Sequence, residues 1–327
     1  MKKIKYLLPV TTLMLLLCAC TNKGNDQTSA EKDVEITIAY QSSVGYAPCI
    51  VMKENKLIED AYNGSITVNW VEMQNGSEIN EGLIAGAIDV GTMGVPVAIT
   101  GIQAGSPYKI AFGLSAQPYS ILTSSDNINS LHDISDSDQI AITNINSQPH
   151  ILLAMAAKAE LGDAHALDKN LTKLGNADGY SAIISGTVPC HMVISPYNFM
   201  EQNNTEVSIH EIEISHDIWP IENTALVGVV TEKLRDENPE VYDALIEAVD
   251  NAMKYIADNP EKTAEMLSGS YDASATEILT WIQDERSSYD STLHGVMDMA
   301  GFMVAEGFLD NGPSSIKDIV YSNVKGE

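Results

Sequence analysis

Short apolar runs of strand type trade places with runs of helical type along most of the chain. VEITIAY (34–40) alternates with period two and predicts a strand, followed by a loop and the helical stretch YAPCIVMKENKLIED (46–60). SITVNWV (65–71) and IDVGTM (88–93) predict further strands around a helix in NGSEINEGLIAGA (75–87), and the apolar VPVAITGIQAG (95–105) follows. KIAFGL (109–114) and YSILTS (119–124) read as extended. From about residue 121 the theme repeats: QIAIT (139–143) leads into a helix carrying Ile151, Leu152 and Met155 that stops at Gly162. A second helix and glycine stop lead into HMVIS (191–195), VSIHEIEI (207–214) is extended, and NTALVGVVT (223–231) is apolar enough to be buried on both faces.

From Asn238 onward the period lengthens. Val241, Leu245, Ala248 and Ala252 mark one helix face behind Pro239, and EKTAEMLSG (261–269), SATEILTWIQDERSSY (274–289) and TLHGVMDMAGFMVAEGFLD (292–310) continue a helical tail. The methionines of the last run, with Phe308, read as core. Two similar α/β units followed by helices is the simplest account, with parallel or mixed sheets covered by helices. In such folds pockets form at the carboxyl ends of strands.

Polar residues cluster at those ends. Gln41, Ser42, Ser43, Gly45 and Tyr46 follow the first strand; if Gly45 opens the next helix, its first-turn amides face a space flanked by the two serines. In DVGTMGVPV (89–97), Asp89-Val90 is expected to end a strand, with Thr92 and Met93 on one side of a crevice and Gly94 and Pro96 leading into a helix. Asn144, Asn146 and Ser147 hold the matching place in the second unit, where Asn146 and Ser147 equally suit a helix cap. Ser195 and Tyr197 end another strand, and Trp219, Glu222 and Asn223 precede the buried one. Tyr46, Tyr119, Trp219 and Met93 suit a solute with an apolar or aromatic part.

The 45 acidic residues outnumber the 18 lysines and arginines, for a net charge of −27, which disfavours nucleic acid and anionic lipid as partners. Of the two arginines, Arg235 and Arg286, neither falls in a segment expected at a pocket. The glycine spacing of 91–94 is not a dinucleotide fingerprint, and nucleophile-elbow and zincin motifs are missing. His210 and His216 stand six apart on an extended stretch, which gives no metal geometry. No metal, cofactor or catalytic group is expected. Lys2, Lys3 and Lys5 precede an apolar stretch too short to span a bilayer, ending in Leu17-Cys18-Ala19-Cys20. This is similar to a bacterial lipobox: residues 1–19 form a signal peptide, Cys20 takes the lipid, and 20–33 is a polar tether. Cys49 and Cys190 are then the remaining thiols, expected to be buried and free.

AYQSSVGYAPCIVMKENKLIED (39–60), NEGLIAGAIDVGTMGVPVAITGIQAG (80–105), the stretch 216–260 beginning HDIWPIENTALVGVVT, and GFMVAEGFLDNGPSSIKDIVYSNV (301–324) resemble the solute-binding lipoproteins of ABC importers. The resemblance is to the branch that binds nitrate, sulfonates, taurine and thiamine precursors. Asn55-Lys56-Leu57 departs from that family's usual Gly-Leu-Phe. The resemblance implies a bilobal α/β fold of the type II periplasmic-binding-protein kind, two mixed-sheet lobes joined by two crossovers. Lobe 1 would hold 34–118 and 225–327, and lobe 2 would hold 119–224. It further implies a monomer without enzymatic activity, held outside the cytoplasm by its lipid, that captures a small organic solute between the lobes and delivers it to a permease. Carried over by position, Ser42, Ser43, Gly45, Tyr46, Thr92, Met93, Gly94, Asn146 and Ser147 match the family's contact loops, with His216 and Glu222 near the returning crossover. Two other readings stay open: a solute-sensing lipoprotein, and an enzyme of pyrimidine-synthesis type on the same fold, for which Cys190-His191 is the pair to examine.

Overall fold

Ile36 and Ile38 turn inward and Glu35 outward along the first strand, so the period-two pattern is spent on one buried face. The computed structural model describes residues 34–214, 218–271 and 273–326. The proposed signal peptide, Cys20, the tether and His216 lie outside the described residues. Among the described residues no helix is long and apolar enough to cross a membrane.

The first half runs β1 (Val34–Gln41), α1 (Ala47–Asn55), α2 (Leu57–Ala61), β2 (Ile66–Met73), α3 (Gly76–Ala85), β3 (Val90–Gly94), α4 (Val95–Gln103) and β4 (Tyr108–Ser115). Next come β5 (Tyr119–Thr123), β6 (Ile140–Ile142), α5 (Gln148–Leu161), β7 (Leu171–Lys173), α6 (Asn176–Ile184), β8 (Cys190–Ile194), α7 (Tyr197–Gln202) and β9 (His210–Ile212). The chain ends with β10 (Leu226–Thr231), α8 (Glu232–Glu237), α9 (Pro239–Asp258), α10 (Pro260–Leu267), α11 (Ala275–Ile282) and α12 (Val296–Ala305).

Two five-stranded mixed sheets result, ordered β2-β1-β3-β10-β4 and β7-β6-β8-β5-β9. Each carries one antiparallel strand among parallel neighbours, β10 in the first and β5 in the second. This is a bilobal α/β fold, and β10 returns to the first sheet after the whole second sheet is complete. All six residues of β10 are buried, as its apolar run requires of a central strand, and Gly228 leaves the room that the Phe112 ring fills. α5 ends at Gly162, whose left-handed φ of 81° suits glycine. α11 is shorter than its sequence suggested: it stops at Ile282, and Ser288 instead bridges to Ala116 beside the first crossover.

The lobes also meet away from the strand ends. After α12 the chain turns at Gly307 (φ +80°) and lays Phe308 on the His165 ring, centroids 4.4 Å apart, with His150 edge-on at 5.4 Å. His165 Nε2 lies 2.7 Å from the Glu306 carbonyl oxygen and Nδ1 lies 2.7 Å from Asp168 Oδ2. Both partners only accept, so the imidazolium, donating from both nitrogens, is the form that satisfies them together. His150 differs. Its Nδ1 accepts from the Asn146 backbone N–H at 2.9 Å, which leaves Nε2 to donate to Asp168 Oδ1 at 3.3 Å. Lys158 Nζ holds the Glu306 carboxylate at 3.0 Å. The Glu306 carbonyl foremost, then Asp168 and, more weakly, Asp163, raise the His165 pKa above its ordinary 6.5, whereas burial lowers that of His150.

A raised histidine stabilises the folded chain fully below 6.5, and that contribution disappears as pH climbs through the raised value. An NMR titration is expected to place the His165 midpoint above 6.5, with Asp168→Asn lowering it. A midpoint at or below 6.5 contradicts this geometry.

Candidate functional site

The carboxyl ends of β1 and β3 face the amino end of α5 and the end of β8 across a closed cleft. Four direct hydrogen bonds cross it among the described residues, the longest from Asn176 Nδ2 to the Ser42 carbonyl at 3.5 Å. Ser43 Oγ donates to the Ser195 carbonyl at 2.6 Å, Ser42 Oγ and Tyr197 Oη are 3.2 Å apart, and Asn144 Nδ2 donates to Ser77 Oγ at 2.9 Å. Between them lies a cavity of about 30 Å³, space for roughly two water molecules, lined by Gln41, Tyr46, Gly76, Gly94, Val97, Tyr119, Thr143, Ser147, Gln148, Pro149, Asn176, Ile194 and Leu226. No acid, lysine, arginine or histidine stands in this lining.

The chain reaches this point by a particular local route. Ser43 caps a short 3-10 turn, Val44–Tyr46, and α1 begins only at Ala47. Gly45 N–H donates to Ser43 Oγ at 3.0 Å and Tyr46 N–H to the Ser43 carbonyl at 3.0 Å. The amides expected to face a ligand there are thus taken by the serine, because a β-region N-cap draws its side chain over them. Gly45 itself is a packing glycine: a Cβ would stand 2.6 Å from Leu226. Gln41 Nε2 donates to Tyr46 Oη at 2.7 Å and to the Thr92 carbonyl at 3.2 Å, which leaves the Tyr46 proton free to donate. Burial raises the pKa of Tyr46 and of Tyr119, so both phenols are neutral donors.

β3 corrects the expectation for its loop. Val90 begins the strand rather than ending one, so Thr92 and Met93 are successive strand residues and point to opposite faces. Thr92 Oγ1 donates to the Ala39 carbonyl at 3.0 Å, and Met93 is sealed in the apolar cluster of α3 and α4. Gly94 alone of the three lines the cavity. On the other side Ser147 is the N-cap of α5, yet its hydroxyl donates back to the Asn144 carbonyl at 2.5 Å. Asn146 takes a left-handed φ of 57° and serves His150 rather than the cavity. Ser195 is buried at the cleft, with its carbonyl engaged by Ser43.

A second cavity, of about 720 Å³, opens beside the crossovers and is lined by Gln117, Pro118, Tyr119, Leu152, Met192, Glu211, Glu213, Ile214, Ile218, Trp219, Ile221 and Arg286. Tyr119 borders both cavities. Trp219 belongs to this larger space, and Glu222 to neither: it is exposed beside Asn223 and His294. Arg286, expected outside any pocket, is brought here because the tail returns to the first crossover. Its Nε donates to Asp284 Oδ1 at 2.8 Å and Nη2 to Oδ2 at 3.1 Å.

Gln148, next to Ser147 at the start of α5, is not among the residues that the sequence singles out. It is 2% exposed, and neither its Oε1 nor its Nε2 has a hydrogen-bond partner. A glutamine before the proline of a helix's first turn was the available signal. The Cys190-His191 pair lies elsewhere, inside lobe 2. His191 is fully buried against Glu201, and burial pushes the Cys190 thiol up to about 11 and that of Cys49 to about 12, so both cysteines are free, protonated thiols. Among the described residues no cluster of three His, Cys, Asp or Glu is placed to hold a metal ion.

Comparison with known proteins fits this architecture. The profile of the NMT1-like family matches residues 29–268. A protein of Bacillus subtilis (strain 168), provisionally named as aliphatic sulfonates-binding, is 34% identical over 116 residues, 35% of this chain. The match spans about a third of that relative's length (33%). Among solved structures, the periplasmic nitrate-binding protein NrtA of Synechocystis PCC 6803 superposes with a TM-score of 0.72 at 16% identity, over 89% of this chain and 87% of its own. The alkanesulfonate-binding protein SsuA of Xanthomonas axonopodis pv. citri, bound to MOPS, gives 0.71 at 18% identity, over 88% and 98%. At these identities the structural likeness is one of fold.

Proposed function

We propose that this chain, which belongs to the NMT1-like family, is the solute-binding component of an ABC importer, taking a small organic solute of sulfonate or pyrimidine-like, aromatic kind between its lobes. The observation that carries this reading is the convergence of strand and helix ends from both sheets on one small cavity without charged residues, with hydrogen bonds crossing between lobes around it. Closure turns two half-sites into a single surface, which a membrane permease can read as the loaded form. Lobe 1 is 34–118 with 225–327 and lobe 2 is 119–224; a lipid on Cys20 holds the monomer at the outer face of the membrane.

Gln41, Tyr46, Tyr119 and Ser147 form the contact set favoured by the geometry, with Gly94 admitting close approach of the facing lobe. The closed cavity is small, so a solute with a carbon body enters as the lobes part, and side chains around the cavity give way to seat it while the hydrogen bonds across the cleft form again. A solute that binds only the folded chain adds stability as RT ln(1 + [L]/Kd), about 2.7 kcal/mol at a hundred times Kd. A thermal-shift screen of small organic solutes, with native mass spectrometry of the purified chain, is expected to find a one-to-one binder whose effect is lost in Tyr46→Ala. If peptides or sugars bind and small organic acids and heterocycles do not, the solute class is wrong. If the binder acts equally on Tyr46→Ala, the site is wrong.

A further inference from the structure

Gln148 is the least settled polar side chain of the cleft. It opens α5, its first-turn neighbour is Pro149, and the facing lobe closes on it so tightly that a Cβ on Gly94 would stand 3.0 Å from Gln148 Cβ. Gln148 lines the cavity, and both polar atoms of its amide are buried and unpartnered. Beside it, Asn176 sends Nδ2 toward the Ser42 carbonyl at 3.5 Å and leaves Oδ1 buried without a partner. Whichever way round the Gln148 amide is placed, Gln148 and Asn176 between them present one unmet donor group and two unmet acceptors.

We propose that Gln148, with Asn176, selects an uncharged solute that carries a hydrogen-bond donor and an acceptor side by side, as a carboxamide, urea or lactam edge does. This rests on the reading of the cleft as the solute site. A paired amide edge satisfies the donor and the acceptor of Gln148 together, and a second N–H reaches Asn176. A sulfonate, carboxylate or nitrate offers acceptors only. It meets Gln148 Nε2 and the Tyr46 hydroxyl but sets negative oxygen against two buried carbonyl oxygens, with no cation in the lining to offset the charge. Tyr46 and Tyr119, both neutral, supply ring faces on which a planar amide can lie.

The test uses matched probes that differ only at the polar edge: acetamide, acetate and methanesulfonate, then benzamide, benzoate and benzenesulfonate, each titrated at millimolar concentration into the purified chain. Melting temperature and calorimetric affinity are the readouts. The neutral member of each set is expected to bind roughly ten- to a hundredfold more tightly than its anions, the range set by one buried polar group left unpaired. Gln148→Met, which keeps length and removes both polar atoms, is expected to abolish the preference. If the anions bind as tightly as the amides or more so, the proposal is overturned while the cleft reading stands. If no probe binds, the proposal also falls, since every neutral probe carries the edge that it requires; a binder of another class found in the wider screen would still uphold the cleft. Should Gln148→Met fail to fold, the selectivity of the unaltered chain decides alone.

Discussion

Glu201→Ala is expected to remove about 3–5 kcal/mol of unfolding free energy, a large share of what a domain has to lose. Glu201 Oε1 stands 2.6 Å from His191 Nδ1, and both side chains are 0% exposed inside lobe 2. The pair has little slack around it. Gly179 packs directly on the His191 ring, where a Cβ would collide, and His191 Nε2 and Glu201 Oε2 have no other hydrogen-bond partners. Without the carboxylate, the ring nitrogen loses its sole partner in a setting that water does not reach, and the space that it leaves is not filled by collapse of β8 onto α7. Urea unfolding reads the effect directly. A loss under about 1 kcal/mol, the size of an ordinary hydrogen bond, contradicts the account of this pair.

The second large effect is on closure rather than folding. Gly94 has φ −63° and ψ 144°, an extended conformation open to any residue, so Gly94→Phe imposes no backbone strain. What it occupies is the space where Gln148 seats, with the Gln148 backbone nitrogen 3.5 Å from the Cβ position. A phenyl ring there props the lobes apart and breaks the bonds of Ser43 to Ser195, Ser42 to Tyr197 and Asn144 to Ser77. At about 0.5–1.5 kcal/mol each, their loss weakens solute binding by roughly ten- to a thousandfold while each lobe keeps its own core. Unchanged affinity would mean that closure does not contribute to capture.

The sheets could be read from the sequence because their strands are periodic or continuously apolar, and periodicity is a property of the chain itself. VEITIAY and LVGVVT are found where the pattern puts them, and the stop at Gly162 follows from its backbone. The cleft was legible only as a location. Ser43 lies at the site, but whether its hydroxyl caps a turn or meets a solute depends on the angle at which the chain leaves β1. A single residue of register at β3 decides that Thr92 and Met93 part to opposite faces. Gln148 escaped notice because glutamine is ordinary at a helix surface, and only the approach of Gly94 from the other lobe makes it buried. Arg286 reached a cavity through the return of the tail to the first crossover, a contact between residues far apart in sequence.

The claim that two lobes close over a solute is tested most directly by one interlobe distance. Glu81→Cys on α3 and Ser181→Cys on α6 are both exposed, and Cys49 and Cys190, the native cysteines among the described residues, are buried, so paired spin labels can be placed on opposite lobes of a chain in which Cys18 and Cys20 are replaced by serine. With a stabilising solute present, the unaltered cleft is expected to give one short, narrow distance distribution, and Gly94→Phe a longer and broader one that the solute does not shorten. The same distribution in both proteins, with and without solute, would contradict the account.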